Sequence, residues 1–279
     1  MEKKFTENKP FGLLTNVKAD ETYAQFLAYW SAEKGLPPAN LQMIIEDLKR
    51  QKSLQEFAQF EKSVKVILDV TNFRILYITD NINNLSGYTA KETKNLNILL
   101  FFYALAFDHL SFPLKIMRFS FKCREIYKEN LYKNLKMTIC GIKAKKKDGT
   151  RCRIQLSFKP IQFDENGITQ ITLITGEEIT HLIKSDFDPY WCRISCGENS
   201  EITGHFINNQ KMDMAHDIIS EREKDVLRLI AKGMESKEIG SQLFISSNTV
   251  DNHRRNMIAR TGARDTTALL QLCYSCGII

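Results

Sequence analysis

The chain has 279 residues, 43% of them hydrophobic and 26% charged, with a formal net charge of +6. That composition fits a globular fold and excludes low-complexity and fibrous classes. The mild positive balance suits a polyanionic partner. The most apolar stretch, Ile98 to Phe107, is shorter than the roughly 20 residues that cross a bilayer, so no membrane contact is expected.

No apolar run follows the charges of the N-terminus, so no secretory signal is expected, and the location read from this is cytoplasmic. Seven cysteines, an odd count spread along the chain, argue against a disulfide framework.

The first sixty residues read as helical. Tyr23, Phe26, Leu27 and Trp30 recur at helical spacing, and Gly35, Pro37 and Pro38 break the pattern. Asn40 caps a second stripe of Leu41, Ile44, Ile45 and Leu48, with Leu54, Phe57 and Phe60 beyond. Such stripes either cover the next domain or pair with a second copy of the chain.

From Val64 the period changes to two. Val64, Val66, Leu68 and Val70 alternate with Lys65, Ile67 and Asp69, and a second run follows from Arg74 to Thr79. Short helices come next. Met137 to Lys147 and Thr150 to Ile161 then flank Asp148-Gly149, a strong hairpin signal. On the second arm Cys152, Ile154, Leu156 and Phe158 share one face, expected buried. Arg151, Arg153, Gln155 and Lys159 share the other, expected wet. Asn166-Gly167 marks another turn, and Ile168 to Thr175 a further strand.

This order, two strands, helices, then three antiparallel strands, resembles a PAS sensor domain over about Lys62 to Ile183. The residues that carry the resemblance are Leu76-Tyr77-Ile78-Thr79-Asp80-Asn81, Asn84-Leu85-Ser86-Gly87-Tyr88, Thr89-Ala90-Lys91-Glu92 and Lys147-Asp148-Gly149-Thr150. Gly87 suits the left-handed end of a helix, and Thr89 with Glu92 has capping-box spacing for the next. The apolar face Cys152, Ile154, Leu156 and Phe158, opposite the aromatic stretch from Phe101 to Phe107, suggests an interior space for a small, mostly apolar ligand, with Phe101, Phe102, Phe107, Leu156 and Phe158 as candidate lining residues. Lys184 to Ala215, with its Asp, Asn, Gly and Pro residues, reads as a connector with partial order.

The last sixty-odd residues form a set of short helices. Ser220 and Glu223 have capping-box spacing ahead of Val226, Leu227, Leu229 and Ile230, and Gly233 ends that helix. A second short helix holds Ile239 and Leu243. Ser246 caps a third that runs to about Thr261 and stops at Gly262. Val250, His253 and Met257 share one side of it; Asp251, Asn252, Arg255 and Ala259 lie toward the other. A helix presenting arginine and asparagine outward after a tight turn is helix-turn-helix geometry for a major groove. Between Ser246 and Arg264 four arginines stand against one aspartate, so positive charge gathers on the reading element. Asp265 to Cys273 supplies a fourth helix.

Several joined pieces, Ser-x-Arg-Glu, Ala-x-Gly, Lys237-Glu238-Ile239, Leu243-Phe244-Ile245-Ser246 and Thr249-Val250-x-x-His253, resemble the LuxR-type (GerE- or FixJ-like) helix-turn-helix from about His216 to Ile279. The resemblance implies that Lys237 and Thr249 touch the DNA backbone with His253 nearby, and that Asp251, Asn252 and Arg255 face base edges. Ser247, Asn248, Arg254 and Arg260 complete the candidate DNA-binding set. Two positions depart from the family. Asp251 stands where lysine is common, and would accept from a cytosine amino group or orient Arg254 or Arg255. Thr261 replaces a common leucine and weakens the apolar seam.

Other constellations read as structural. Cys192, Cys196, His205, Cys273 and Cys276 do not form a two-pair zinc frame, and Cys273 reads as a small buried side chain. No metal site is expected. His109, near the aromatic stretch, reads as core packing rather than a haem ligand. The cysteine motif of photosensory flavin relatives is absent. Lys143, Lys145, Lys146 and Lys147 read as a solvated hairpin tip rather than a nucleic-acid patch. No catalytic motif and no phospho-accepting receiver domain emerges.

The sequence therefore predicts an α+β chain with a helical segment at 1–61, a PAS-like sensor at 62–183, a connector at 184–215 and a LuxR-type head at 216–279. It predicts a non-enzymatic transcription regulator that binds double-stranded DNA as a homodimer. An unknown small molecule at the PAS-like domain would control the head, with no other cofactor. The alternative is a PAS-like platform for a partner protein, without small ligand, tethered to DNA by the head.

Overall fold

Alternating apolar residues build one sheet. The computed structural model describes residues 62–72, 74–95, 135–164, 169–196, 202–208, 213 and 216–279, all within a single unit of the chain, Pro38–Ile279. The N-terminal stripes, Phe101, Phe102, Phe107, His109 and the Asn166-Gly167 turn lie outside the described residues. The strands are β1 (Val64–Asp69), β2 (Arg74–Ile78), β3 (Lys136–Lys145), β4 (Arg151–Phe163), β5 (Thr169–Glu178), β6 (Trp191–Cys196) and β7 (Ile202–Ile207). Their order is β2-β1-β5-β4-β3-β6-β7, antiparallel throughout. With the helices described below, the fold is mixed α+β.

Local chemistry sets the turns. Helix α1 (Ile82–Ser86) ends on Gly87 in the left-handed conformation, φ 76°. Helix α2 (Ala90–Asn95) starts on a reciprocal cap, with Glu92 N donating to Thr89 Oγ1 at 3.2 Å and Thr89 N to Glu92 Oε2 at 2.8 Å. Between β3 and β4, Gly149 takes φ +89° and Asp148 accepts from Thr150 N at 2.8 Å. Three of the four hairpin lysines are paired, Lys146 with Glu178 at 2.9 Å, Lys147 with Glu92 at 2.7 Å, and Lys143 with Asp188.

The sheet has two differently occupied faces. The inner face packs Val66, Leu68, Ile139, Ile142, Ile154, Leu156, Ile174, Cys192 and Ile194 into one core, with Phe158 at its edge. Leu156 and Leu85 close over Gly176, where an added Cβ would stand 3.2 and 3.1 Å from their methyls. The outer face was expected to be wet. Arg151 and Lys159 are indeed exposed, but Gln155 is only 6% exposed. The C-terminal helices lie across this face and bury it.

The span expected to be a partly ordered connector holds β6 and β7, the last two strands of the sheet. Its Trp-Cys-Arg-Ile-Ser-Cys run alternates between the two faces. Cys192, Ile194 and Cys196 enter the inner core, while Trp191 joins the core of the C-terminal helices. Gly and Asn residues bracketing the strands hid them from the sequence. Among the described residues, no helix is long and apolar enough to cross a membrane.

The C-terminal helices are α3 (Glu221–Ala231), α4 (Ser236–Leu243), α5 (Ser247–Thr261) and α6 (Thr266–Ser275). Their core, Ile218, Val226, Leu227, Ile239, Val250, Met257, Leu269 and Leu272, is continuous with Cys140, Ile179, Leu182, Ile183 and Trp191 of the sheet side. Polar contacts reinforce the join. Trp191 Nε1 donates to Thr261 O at 3.0 Å. Arg193 donates from Nε to Asp217 Oδ1 at 2.9 Å and from Nη2 to Oδ2 at 2.9 Å, and from Nη1 to Cys276 O at 3.2 Å. Lys224 adds a second cation on Asp217 at 2.9 Å. Main chains also pair: Lys184 N donates to Gly262 O at 2.9 Å and Arg264 N to Leu182 O at 2.8 Å. Gly262 sits at φ +75° under the Phe187 ring, where a Cβ would come within 2.1 Å of Cδ1, so no larger residue fits.

Candidate nucleic-acid interface

Three caps define the helices that would meet DNA. Ser220 Oγ accepts from Glu223 N at 3.4 Å while Ser220 N donates to Glu223 Oε2 at 2.9 Å, the box that starts α3. Glu235 N donates to Glu238 Oε2 at 2.7 Å at the start of α4. Ser246 Oγ accepts from Thr249 N at 3.0 Å at the start of α5. Between α4 and α5 the chain turns on Phe244, which is left-handed at φ 57°. Ile245 N donates back to Gly240 O at 2.9 Å. The turn needs glycine at 240, because a Cβ there would stand 2.7 Å from Ile245 O.

Helix α5 buries Val250, Met257 and Thr261. Asn248, Asn252 and Arg255 are exposed at four- and three-residue steps, a continuous outward stripe. Arg255 Nη2 donates to Asn252 Oδ1 at 2.6 Å, so two groups suited to purine edges are held side by side. Ser247, Thr249, Asp251, His253 and Arg254 are half-buried on the flanks. Thr249 Oγ1 shares a hydrogen bond with Ser246 Oγ at 2.8 Å. Lys237 is exposed in the first turn of α4.

Two candidate residues have partners within the protein. Asp251 does not orient an arginine; it accepts from Ser236 Oγ at 2.7 Å and ties the start of α4 to α5. That bond gives the acidic departure from the family a use within the protein. Arg260, among the DNA-binding candidates, is engaged within the head. It forks onto Glu223, with Nη1 to Oε2 at 2.9 Å and Nη2 to Oε1 at 3.0 Å, and donates to Ile218 O at 2.6 Å. Burial pushes the Glu223 carboxyl up, but Arg260 and Ser220 outweigh it and hold the group below its ordinary range. Arg260 thus fastens the first helix to the third. Thr261, the other departure, is buried and satisfied, with Oγ1 donating to Met257 O at 2.8 Å.

Sequence reading missed Ser236, the docking pair Arg193 and Asp217, and Phe244, which is 95% exposed at the turn. An arginine inside an otherwise apolar strand was the available signal for Arg193.

Residues 217–273 match the family model of the bacterial regulatory proteins of the luxR family. The C-terminal domain is a LuxR-type helix-turn-helix. A curated relative of this domain is the oxygen regulatory protein NreC of Staphylococcus aureus, 32% identical over 77 residues, which are 26% of this chain. The match spans 36% of that relative's length. Similar solved structures include the Vibrio cholerae VqmA dimer, 16% identical, with 81% of this chain and 87% of that one covered at a TM-score of 0.33. Another is a PAS domain from a two-component sensor histidine kinase, 13% identical, with 48% and 98% covered at a TM-score of 0.32. At these scores neither describes how this chain is arranged. In this domain α4 and α5 are the helix-turn-helix pair.

Proposed function

We propose that the chain is a transcription regulator that reads double-stranded DNA with α5 and is governed by the sheet on which its head rests. The observation that carries this reading is the outward stripe Asn248, Asn252 and Arg255 on a LuxR-type domain. Lys237, Ser247, Thr249, His253 and Arg254 flank it as phosphate-side candidates. In this reading Arg255 takes a guanine edge, Asn252 an adenine edge, and Lys237 the backbone.

The sensing part follows from the alternation of β3, β4 and β6. On each strand, neighbouring residues face opposite ways: Ile139 and Cys140, Leu156 and Gln155, Ile194 and Arg193. A small apolar ligand or other signal at the inner face, near Leu156 and Phe158, therefore acts one residue away from the head. The signal shifts the population of head positions, and two heads in a homodimer meet a paired site differently. The sensor comprises 62–183 with β6 and β7 added, and the head comprises 216–279.

The test uses the full chain with a pool of random duplexes. Recovered sequences should share a motif, and binding should fall steeply with salt. Binding to no duplex, or equally to all, overturns the DNA reading. Native mass spectrometry of the same preparation reads the sensor part. A retained small molecule supports it, and a retained protein partner in its place favours a docking platform.

A further inference from the structure

Cys140 on β3 and Cys276 at the end of α6 meet across the junction between sheet and head. Both thiols are buried. They converge on one acceptor, Gln155 Oε1, from 3.9 and 3.6 Å. Ser275 Oγ donates to the same oxygen at 3.0 Å. The backbone places Cys140 there deliberately: a bulge between Cys140 and Ile142, with Gly141 at φ +87°, lets Ile139 and Ile142 both face the inner core while Cys140 faces the head. Bulges commonly re-aim a side chain in this way.

We infer that Cys140 and Cys276 form a thiol pair whose oxidation to a disulfide staples the DNA-binding head to the sheet. The oxidant class is a small disulfide, such as oxidised glutathione. The Cys276 thiolate attacks one sulfur of the small disulfide, forms a mixed disulfide and releases one thiolate. The Cys140 thiol gives its proton to that thiolate, attacks Cys276 Sγ and expels the second. Two protein thiols are oxidised by two electrons, and one small disulfide is reduced to two thiols.

Cys276 is the residue positioned to react first. The nearby Cys140 and Ser275 hold the Cys276 thiol below its ordinary range, whereas burial pushes the Cys140 thiol up. Access comes through the helix end: Cys276 is the C-cap of α6, and Tyr274 and Gly277 on either side of it are exposed. Helix ends open locally without global unfolding. The pair differs from Cys152, Cys192 and Cys196, which all belong to the inner core of the sheet. Disulfides in reducing compartments are mostly of this reversible kind.

The full chain is incubated with oxidised glutathione, alkylated without reduction, digested and mapped by mass spectrometry. A peptide pair joined through Cys140 and Cys276 is expected, lost on adding dithiothreitol. The oxidised chain should unfold at a higher urea concentration than the reduced one, because the crosslink constrains the unfolded chain. The shift should persist in Cys273→Ser and vanish in Cys276→Ser and in Cys140→Ala. The wild-type map decides the question even if a variant folds poorly. Crosslinks dominated by Cys273 or by pairs within the sheet core, or glutathione adducts without a Cys140–Cys276 link, would overturn the inference.

Discussion

The two ends of α5 live in different worlds. From Asn248 to Arg255 it carries Asn248, Asn252 and Arg255 into solvent. Its C-terminal end, from Thr261 to Ala263, is buried against the sheet, hydrogen-bonded by Trp191 and covered by Phe187. In the proposed function, reading and control therefore share one helix. The helix has 15 residues, so at about 1.5 Å per residue it is roughly 22 Å long. A tilt of about 5° at the buried end moves the far end by about 2 Å, enough to misplace a side chain against a base edge. A separate hinge is not needed for the sheet to influence the stripe.

The sharpest way to break this contrast is to empty the buried end. Asp217→Ala leaves Arg193 buried without its carboxylate, and removing one partner of a buried pair costs about 3–5 kcal/mol. Urea unfolding should record that loss. Asp217→Leu with Arg193→Leu should recover part of it, because Arg193 goes with its partner and Lys224 keeps Glu221 at 2.7 Å. A loss under about 1 kcal/mol would mean that this pair does not hold the head. Acid gives the same answer by another route. Burial pushes the Asp217 carboxyl up, but Arg193 and Lys224 outweigh it and hold it below its ordinary 3.8. Glu223 is likewise held below 4.5. A depressed folded pKa stabilises the fold above the unfolded value and loses that contribution as pH falls through the folded one. The urea midpoint should therefore drop as pH is lowered below about 4.5, and drop less in Asp217→Ala.

At the exposed end the effect should be smaller and should appear in DNA binding, leaving stability alone. Arg255→Ala removes one outward fork and should cost about 1–3 kcal/mol at a single base position. A site library separates this from general weakening. Equal loss across all sequences would move Arg255 from base to backbone.

Much of the head was legible because its signals are local. Ser220 with Glu223, Ser246 with Thr249 and Gly262 each act within a few residues, and so do Gly87, the Thr89–Glu92 cap and the Asp148-Gly149 turn. The junction was illegible because its partners are distant in sequence. Arg193 meets Asp217 24 residues on, and Gln155 meets Ser275 120 residues on. Nothing in the alternation of β4 says that its polar face will be covered. The partner of Arg260 was hidden for the same reason, since Glu223 lies 37 residues earlier.

Trp191→Phe tests the junction more gently. A smaller aromatic ring stays, the indole N–H to Thr261 O bond goes, and the void left at this fully buried site adds its own cost. One neutral hydrogen bond is worth about 1 kcal/mol net, somewhat more here because the Thr261 carbonyl is left buried. Urea unfolding should show that loss, while affinity for a single half-site stays within about twofold. A large change in half-site affinity would mean that the helix bends between its two ends.

Lys237→Ala should have the smallest effect and the most diagnostic shape. The side chain is exposed in the first turn of α4, so unfolding should change by no more than about 0.5 kcal/mol. A lysine on phosphate contributes through counterion release, which carries no sequence information. Affinity should fall alike for every duplex, and the slope of log affinity against log salt should shrink by about one ion. Arg255→Ala should leave a sequence-dependent mark that Lys237→Ala lacks. Should Lys237→Ala relax one base position while leaving the salt slope unchanged, the docking of α4 on the backbone would be wrong, and the stripe on α5 would need a different tilt in the groove.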